Sequence, residues 1–226
     1  MDSAPAGGPM GHTQKAYEGI RRMLFHNEIV AGQKIAYRDL AERLDMSQTP
    51  VIQALKWLEF QQLVRHEPNR GYYTASINLQ EVEEIYDLRM LIELDLLQKT
   101  FKRIDDAMIR RLRSALDAHL QAAKDTYLYD RLSKDMEYHL TLAAFSGRVV
   151  HQQTLKNLFD LLYLKYGAKF LFSSSMDSAD TDHQDLFRRI EKRDARGAKT
   201  VLAGHITRVK RHVLKGVEQM LRATRM

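Results

Sequence analysis

The stretch AYRDLAERLDMSQTPVIQALKWLEFQQLVRHEPNRGYYTA, residues 36–75, changes its grammar twice. RDLAERLDMS sets Leu40, Ala41 and Leu44 on one face, the spacing of a short helix. Asp45-Met46-Ser47 is a tight turn. QTPVIQALKWLEFQQL then keeps Val51, Ala54, Leu55 and Leu58 at helical spacing, with Ser47 placed to cap it and Pro50 in the first turn, where its missing N–H costs little. Two β-prone runs, Leu63–His66 and Tyr72–Ile77, follow around a Pro-Asn-Arg-Gly turn. Upstream, TQKAYEGIRRMLFHNEIVAG carries Ile20, Met23 and Leu24 on one face and predicts a helix stopping at Gly32. Helix, short helix, turn, helix and two-stranded wing is the order of a winged helix-turn-helix, whose second helix enters the major groove. By spacing alone, the same elements also fit a small helical domain that binds no DNA.

At 226 residues and 44% hydrophobic, the chain suffices for one large domain or two modest ones. It has no apolar run of about 18 residues, so no membrane span is expected. MDSAPAGGPMGH lacks a charged-then-apolar pattern; residues 1–12 read as a disordered tail rather than a signal peptide. The absence of cysteine excludes disulfides, thiolate catalysis and cysteine zinc sites, and fits a cytoplasmic location. The net charge of +6 suggests a polyanionic partner, but its distribution is uneven. Residues 13–76 hold nine Lys/Arg against seven Asp/Glu, a balance of +2. Residues 77–185 hold fourteen against eighteen (−4), and residues 186–226 twelve against three (+9). Charge alone therefore points to the C-terminus, away from the groove-reading motif.

From residue 80 the strand signals vanish. Helices are expected near 80–101, 105–124, 128–147, 149–173, 181–193 and 195–222, with Asn78 capping the first, Asp194 the last, and SSSMDSAD forming the longest loop. The expected organisation is a DNA-binding domain over 13–76, a linker at 77–79 and an antiparallel all-α bundle over 80–226.

Within DMEYHLTLAAFSG, residues 135–147, Asp135 and His139 stand one helical turn apart among Leu140, Leu142 and Phe145. An acid and an imidazole so placed are a solvated pair, a catalytic dyad or half of a metal site. His183 and His205 lie on the two last helices, which the hinge KRDARG (192–197) lets fold back on each other. Three imidazoles and one carboxylate make a reasonable set for Zn²⁺, Ni²⁺ or Mn²⁺, and donor softness does not decide among them. Each histidine alone would more often be a surface or hydrogen-bonded core residue. His12, His26, His66, His119, His151 and His212 have no carboxylate or His partner in a comparable pattern.

On these residues the chain resembles the GntR family of bacterial transcription regulators. Residues 36–75 resemble that family's DNA-binding domain. YDLRMLIE (86–93), DMEYHLTLAAFSG (135–147), DHQDLFRRIEKRDARGA (182–198) and GHI (204–206) resemble the FCD effector domain of its FadR-type branch. The likeness covers roughly residues 14–220. It implies that Asp135, His139, His183 and His205 hold a divalent ion in a sensor pocket, that the ion anchors a small organic-acid effector, and that the protein acts as a homodimer on a double-stranded DNA operator. Arg89 is the residue expected to pair with an effector carboxylate; its structural alternative is an ion pair with Glu93 at i,i+4. Of the DNA-contacting positions, Arg38, Thr49, Pro50 and the wing-tip Gly71 match the family pattern. Gln48 and Ile52 stand where members usually carry arginine, and Gln53 where they often carry glutamate. Gln48 can still bond adenine and Ile52 pack on a thymine methyl, which shifts the operator toward A·T or weakens binding; Lys56 and Arg70 are further cations expected near the backbone. Two alternatives remain: a metal-responsive regulator without an organic effector, and a metal-dependent hydrolase. Against hydrolysis, no nucleophile elbow, phosphate loop or HExxH is present.

Overall fold

A computed structural model describes residues 9–122, 128–165 and 177–223. They group into two compact units that divide between Ile77 and Asn78, with a short stretch beginning at Tyr163 counted with the first. The fold class is mainly α, with a winged helix-turn-helix first and an all-helical unit second.

The first unit contains α1 (Pro9–Phe25), β1 (Lys34–Ile35), α2 (Tyr37–Arg43), α3 (Gln48–Phe60), β2 (Val64–Glu67) and β3 (Gly71–Thr74). Ile20 of α1 meets the α3 stripe Val51, Ala54, Leu55 and Leu58, all without solvent exposure. The periodicity of α3 thus buries one face and leaves Gln48, Thr49, Gln53 and Lys56 on the other. The wing is a three-stranded antiparallel sheet in the order β1-β3-β2, with Ile35 opposite Tyr72 and Val64 opposite Thr74. β1 was not expected; two residues are too few to show a period.

Four helix ends follow one rule that a search for glycine misses. α1 stops at Phe25, not near Gly32, because Asn27 takes a left-handed conformation (φ 54°). The N–H of Glu28 then donates to Met23 O (2.9 Å) and that of Asn27 to Leu24 O (3.1 Å), a Schellman closure. The same pair of bonds closes α2 around Asp45 (φ 51°) and α3 around Gln62 (φ 61°). Ser47 sits at the N-cap of α3, but its hydroxyl makes no capping bond. Pro9–His12 belong to α1, which corrects the expected tail over that part.

The second unit contains α4 (Leu79–Phe101), α5 (Asp106–Ala122), α6 (Leu128–Ala144), α7 (Val149–Asp160) running into a π-helical turn over Leu161–Lys165, α8 (Asp177–Glu191) and α9 (Ala195–Ala223). Asn78 caps α4 by accepting from the N–H groups of Gln80 (3.1 Å) and Glu81 (3.4 Å), as Asp194 caps α9 from Gly197 (2.8 Å). α4 packs on α9, α9 on α8, and α5 on both α6 and α8. The expected 149–173 helix changes character at Leu161, and its end lies outside the described residues. Of the expected SSSMDSAD loop, Asp177–Asp180 are helical and the rest lies outside the described residues. Arg193 (φ 57°) closes α8 in the Schellman manner, and its guanidinium donates to Ile104 O and, at 3.2 Å, to Asp106. On α9, Lys210 binds Asp87 (2.6 Å) and Glu83 (3.2 Å) of α4, so part of the C-terminal positive charge is spent inside this unit.

A left-handed conformation costs an L-residue about 1–2 kcal/mol that glycine does not incur. Gln62 is exposed and holds that conformation after α3. Gln62→Gly should stabilise the first unit by about 1 kcal/mol, read as a higher thermal midpoint. A lower midpoint would show that the side chain does something the backbone geometry does not reveal.

Candidate metal centre and DNA-reading face

α6 carries Asp135 and His139 one turn apart, α8 carries His183 and α9 carries His205, and the fold brings all four together. One ligand atom from each lies within 4.8 Å of those of the others. The histidines are buried and Asp135 is nearly so. The N–H edges of two rings are fixed by groups that can only accept. His139 Nδ1 donates to Glu93 Oε2 at 2.7 Å, and His205 Nδ1 to Asp182 Oδ2 at 3.3 Å. Their Nε2 atoms therefore keep lone pairs toward the centre. His183 Nδ1 lies 3.1 Å from His119 Nε2, which is itself 3.1 Å from Asp180 Oδ1.

These residues fit a divalent ion. Two donors each about 2.0–2.1 Å from one ion stand about 3.0–3.4 Å apart at ordinary coordination angles. His183 Nε2 is 3.2 Å from His139 Nε2 and 3.5 Å from Asp135 Oδ1. Burial pushes the His183 imidazole well below its ordinary pKa, with the neighbouring His205 adding to it, and burial lowers His205 as well. Both rings are thus disposed to be neutral, the form that offers a lone pair. Burial alone would raise the Asp135 carboxyl, but the surrounding imidazoles, His139 first, hold it below the usual carboxylate range.

Behind His139 runs a buried chain. Arg89 Nε donates to Glu93 Oε1 at 2.9 Å, and these side chains are 3% and 4% exposed. The Arg89 guanidinium also lies over the Phe159 ring, 4.3 Å from its centroid. Burial would raise Glu93, but His139 and Arg89 hold it down at about 2. Of the two alternatives for Arg89, the i,i+4 pair is formed, and it leads into the site through Glu93.

Sequence reasoning missed four of these groups. Glu93 was seen only as a partner for Arg89. Asp182 stands directly before His183, a signal that was legible. Asp180 and His119 were not legible, because 61 residues separate them. The reading of His119 as partnerless is corrected: it is fully buried, against His183 and Asp180. Its Nδ1 has no hydrogen-bond partner among the described residues.

In the first unit, Arg38, Gln48, Thr49 and Lys56 are exposed on α2 and α3, with Pro50 and Ile52 half-buried beside them. Arg70 is exposed at the wing tip, 3.8 Å from Glu67, beside Gly71, whose φ of 98° suits glycine. Thr13 of α1 donates to Gln53 Oε1 at 2.6 Å, which turns the amide nitrogen of Gln53 away from that contact.

This pairing of units has known counterparts. Residues 12–73 match the family described as bacterial regulatory proteins, gntR family, and residues 84–208 match the FCD domain. The HTH-type regulator YdhC of Bacillus subtilis is 22% identical over 97% of this chain and 98% of its own length. The HTH-type transcriptional repressor RspR of Escherichia coli is 22% identical over 88% of each. Among solved structures, E. coli McbR/YncC has a TM-score of 0.76 at 16% identity, over 87% of this chain and 94% of that one. A GntR regulator from Rhodococcus sp. RHA1 has a TM-score of 0.75 at 18% identity, over 90% and 97%. The chain belongs to the GntR family of bacterial regulators, in the group that carries an FCD domain. It is a DNA-binding transcriptional regulator and not an enzyme.

Removing one partner of a buried pair leaves a charge uncompensated, at a cost of about 3–5 kcal/mol. Arg89→Met should therefore lower stability by that order, measured by chemical denaturation of the second unit's signal. A neutral result would mean that Glu93 is satisfied by His139 alone.

Proposed function

We propose that this regulator holds a divalent metal ion between Asp135, His139, His183 and His205, and that a small organic acid bound at that ion modulates operator binding. The observation that carries this reading is the convergence of three buried imidazoles and one carboxylate, with His139 and His205 each fixed from behind by a carboxylate. Zn²⁺, Ni²⁺ and Mn²⁺ all accept such a set. When bound, the ion would supply a Lewis-acid anchor for an effector carboxylate. Arg89 is the cation proposed to recognise the effector. An acid that reached its guanidinium would share it with Glu93, so effector binding would pull on the same chain that fixes His139.

In this reading DNA is recognised by the start of α3, with Gln48, Thr49, Pro50 and Ile52 at the base edges and Arg38, Lys56, Arg70 and Gly71 at the phosphates and wing. One recognition helix reads only a few base pairs, so two copies on a two-fold operator are the proposed form. The effector would act by favouring one of two dimer geometries over the other. A metal-responsive regulator without an organic effector is the second reading; it is favoured by the engagement of Arg89 with Glu93.

Two outcomes test these readings. Metal analysis of the purified chain should give about one ion per subunit, and His183→Ala or His205→Ala should remove most of it while the melting curve stays cooperative. Undiminished metal in both variants would refute the site. In anisotropy titrations on DNA from upstream of its own gene, the double change Gln48→Arg and Ile52→Arg should steepen the slope of log K against log salt by about two, if both new cations meet phosphates. An unchanged slope would place that end of α3 off the backbone.

A further inference from the structure

The second unit contains a concavity rimmed by basic residues, formed where α4 ends and α7 begins. It has a volume of about 260 Å³ and is lined by Lys99, Lys102, Arg103, Ser146, Gly147 and Arg148. We propose that it binds a small phosphate-bearing anion, either inorganic phosphate or a phosphorylated metabolite.

Four of the six lining residues are cations and none is acidic. Lys99 shares its charge with Asp95 at 3.2 Å. Among the described residues, Lys102, Arg103 and Arg148 have no carboxylate within ion-pair distance, although nearly as many acids as bases occur in the chain. Like charges gathered without a counter-ion repel one another, and an anion between them removes that cost. Gly147 has φ 69°, a conformation that suits glycine, and the Arg103 guanidinium lies against it, Nη1 being 2.2 Å from where a Cβ would stand.

Ser146 adds a donor. Its side chain is buried (3% exposed) and its Oγ accepts from the Arg148 N–H at 3.1 Å, but its own hydroxyl proton has no acceptor among the described residues. Guanidinium forks, ammonium groups and a hydroxyl are donors that recognise phosphate. The volume lies below the roughly 300–1,000 Å³ of drug-sized sites, which suits a phosphate or a phosphomonoester of few carbons.

The test is calorimetric titration of the full-length chain with inorganic phosphate and, separately, with glycerol 3-phosphate, ionic strength being held constant with chloride. Saturable binding is expected for at least one. Arg103→Ala and Arg148→Ala should each weaken it about tenfold, the size of one charge-assisted hydrogen bond, and Ser146→Ala should weaken it less. Lys192→Gln, which removes an exposed charge elsewhere in the unit, should leave it unchanged. Tighter binding of the ester would identify a phosphorylated metabolite as the ligand; equal binding would identify phosphate itself. Absence of saturable binding overturns the proposal. So does binding lost in His183→Ala but kept in Arg103→Ala, which would assign the anion to the metal centre. The two sites share no residue, so failure of either leaves the other standing.

Discussion

The hydrogen-bonded chain Arg89–Glu93–His139 is the constraint on which the second unit's chemistry depends. A carboxylate as buried as Glu93 is tolerated only with its lone pairs engaged. Here one oxygen accepts from the guanidinium and the other from the imidazole. That demand sets the rotamer of His139 and the ring nitrogen that carries its proton. It also ties α4 to α6, a tie that the Thr100 hydroxyl repeats by donating to Leu142 O at 3.2 Å. The outer supports are unequal around the centre. His139 and His205 lean on ionised acids, whereas His183 leans on His119. The single Nε2 of His119 is asked either to accept from His183 or to donate to Asp180.

The first unit answers a different demand, that a short helix be held rigidly while one face stays polar. The unexposed stripe of α3 and the α1 residues against it supply the rigidity. The exposed face is left to side chains such as Gln48, Thr49 and Lys56, which contribute little to that packing. Gln48 is exposed, so a change there leaves the buried stripe untouched, whereas Ile52 is half-buried and its replacement meets the packing beneath.

How much of this was legible in the sequence follows from range. Helical stripes such as Val51, Ala54, Leu55 and Leu58 declare themselves because their period is local. So do the caps Asn78 and Asp194. The four converging residues of the candidate metal centre are joined by an i,i+4 spacing on α6 and by family resemblance, since no local rule connects residues 139, 183 and 205. What stayed hidden was either too short or too distant. β1 has two residues, and His119 meets partners more than sixty positions away. The end of α1 escapes a search for glycine for a chemical reason: glycine is the usual left-handed residue, and Asn27 takes that conformation here, as Asp45, Gln62 and Arg193 do after other helices.

Arg193 shows what such a choice implies for descent. Its backbone would be more comfortable as glycine, yet its guanidinium fastens the turn between α8 and α9 to the turn after α4. The helices it joins carry His183 and His205, whose separation depends on that turn holding its place. Drift at this position therefore meets opposing pressures, local ease against long-range fastening. Among related sequences, a basic residue here should travel with an acid at the position of Asp106, and glycine should appear where that acid has been lost.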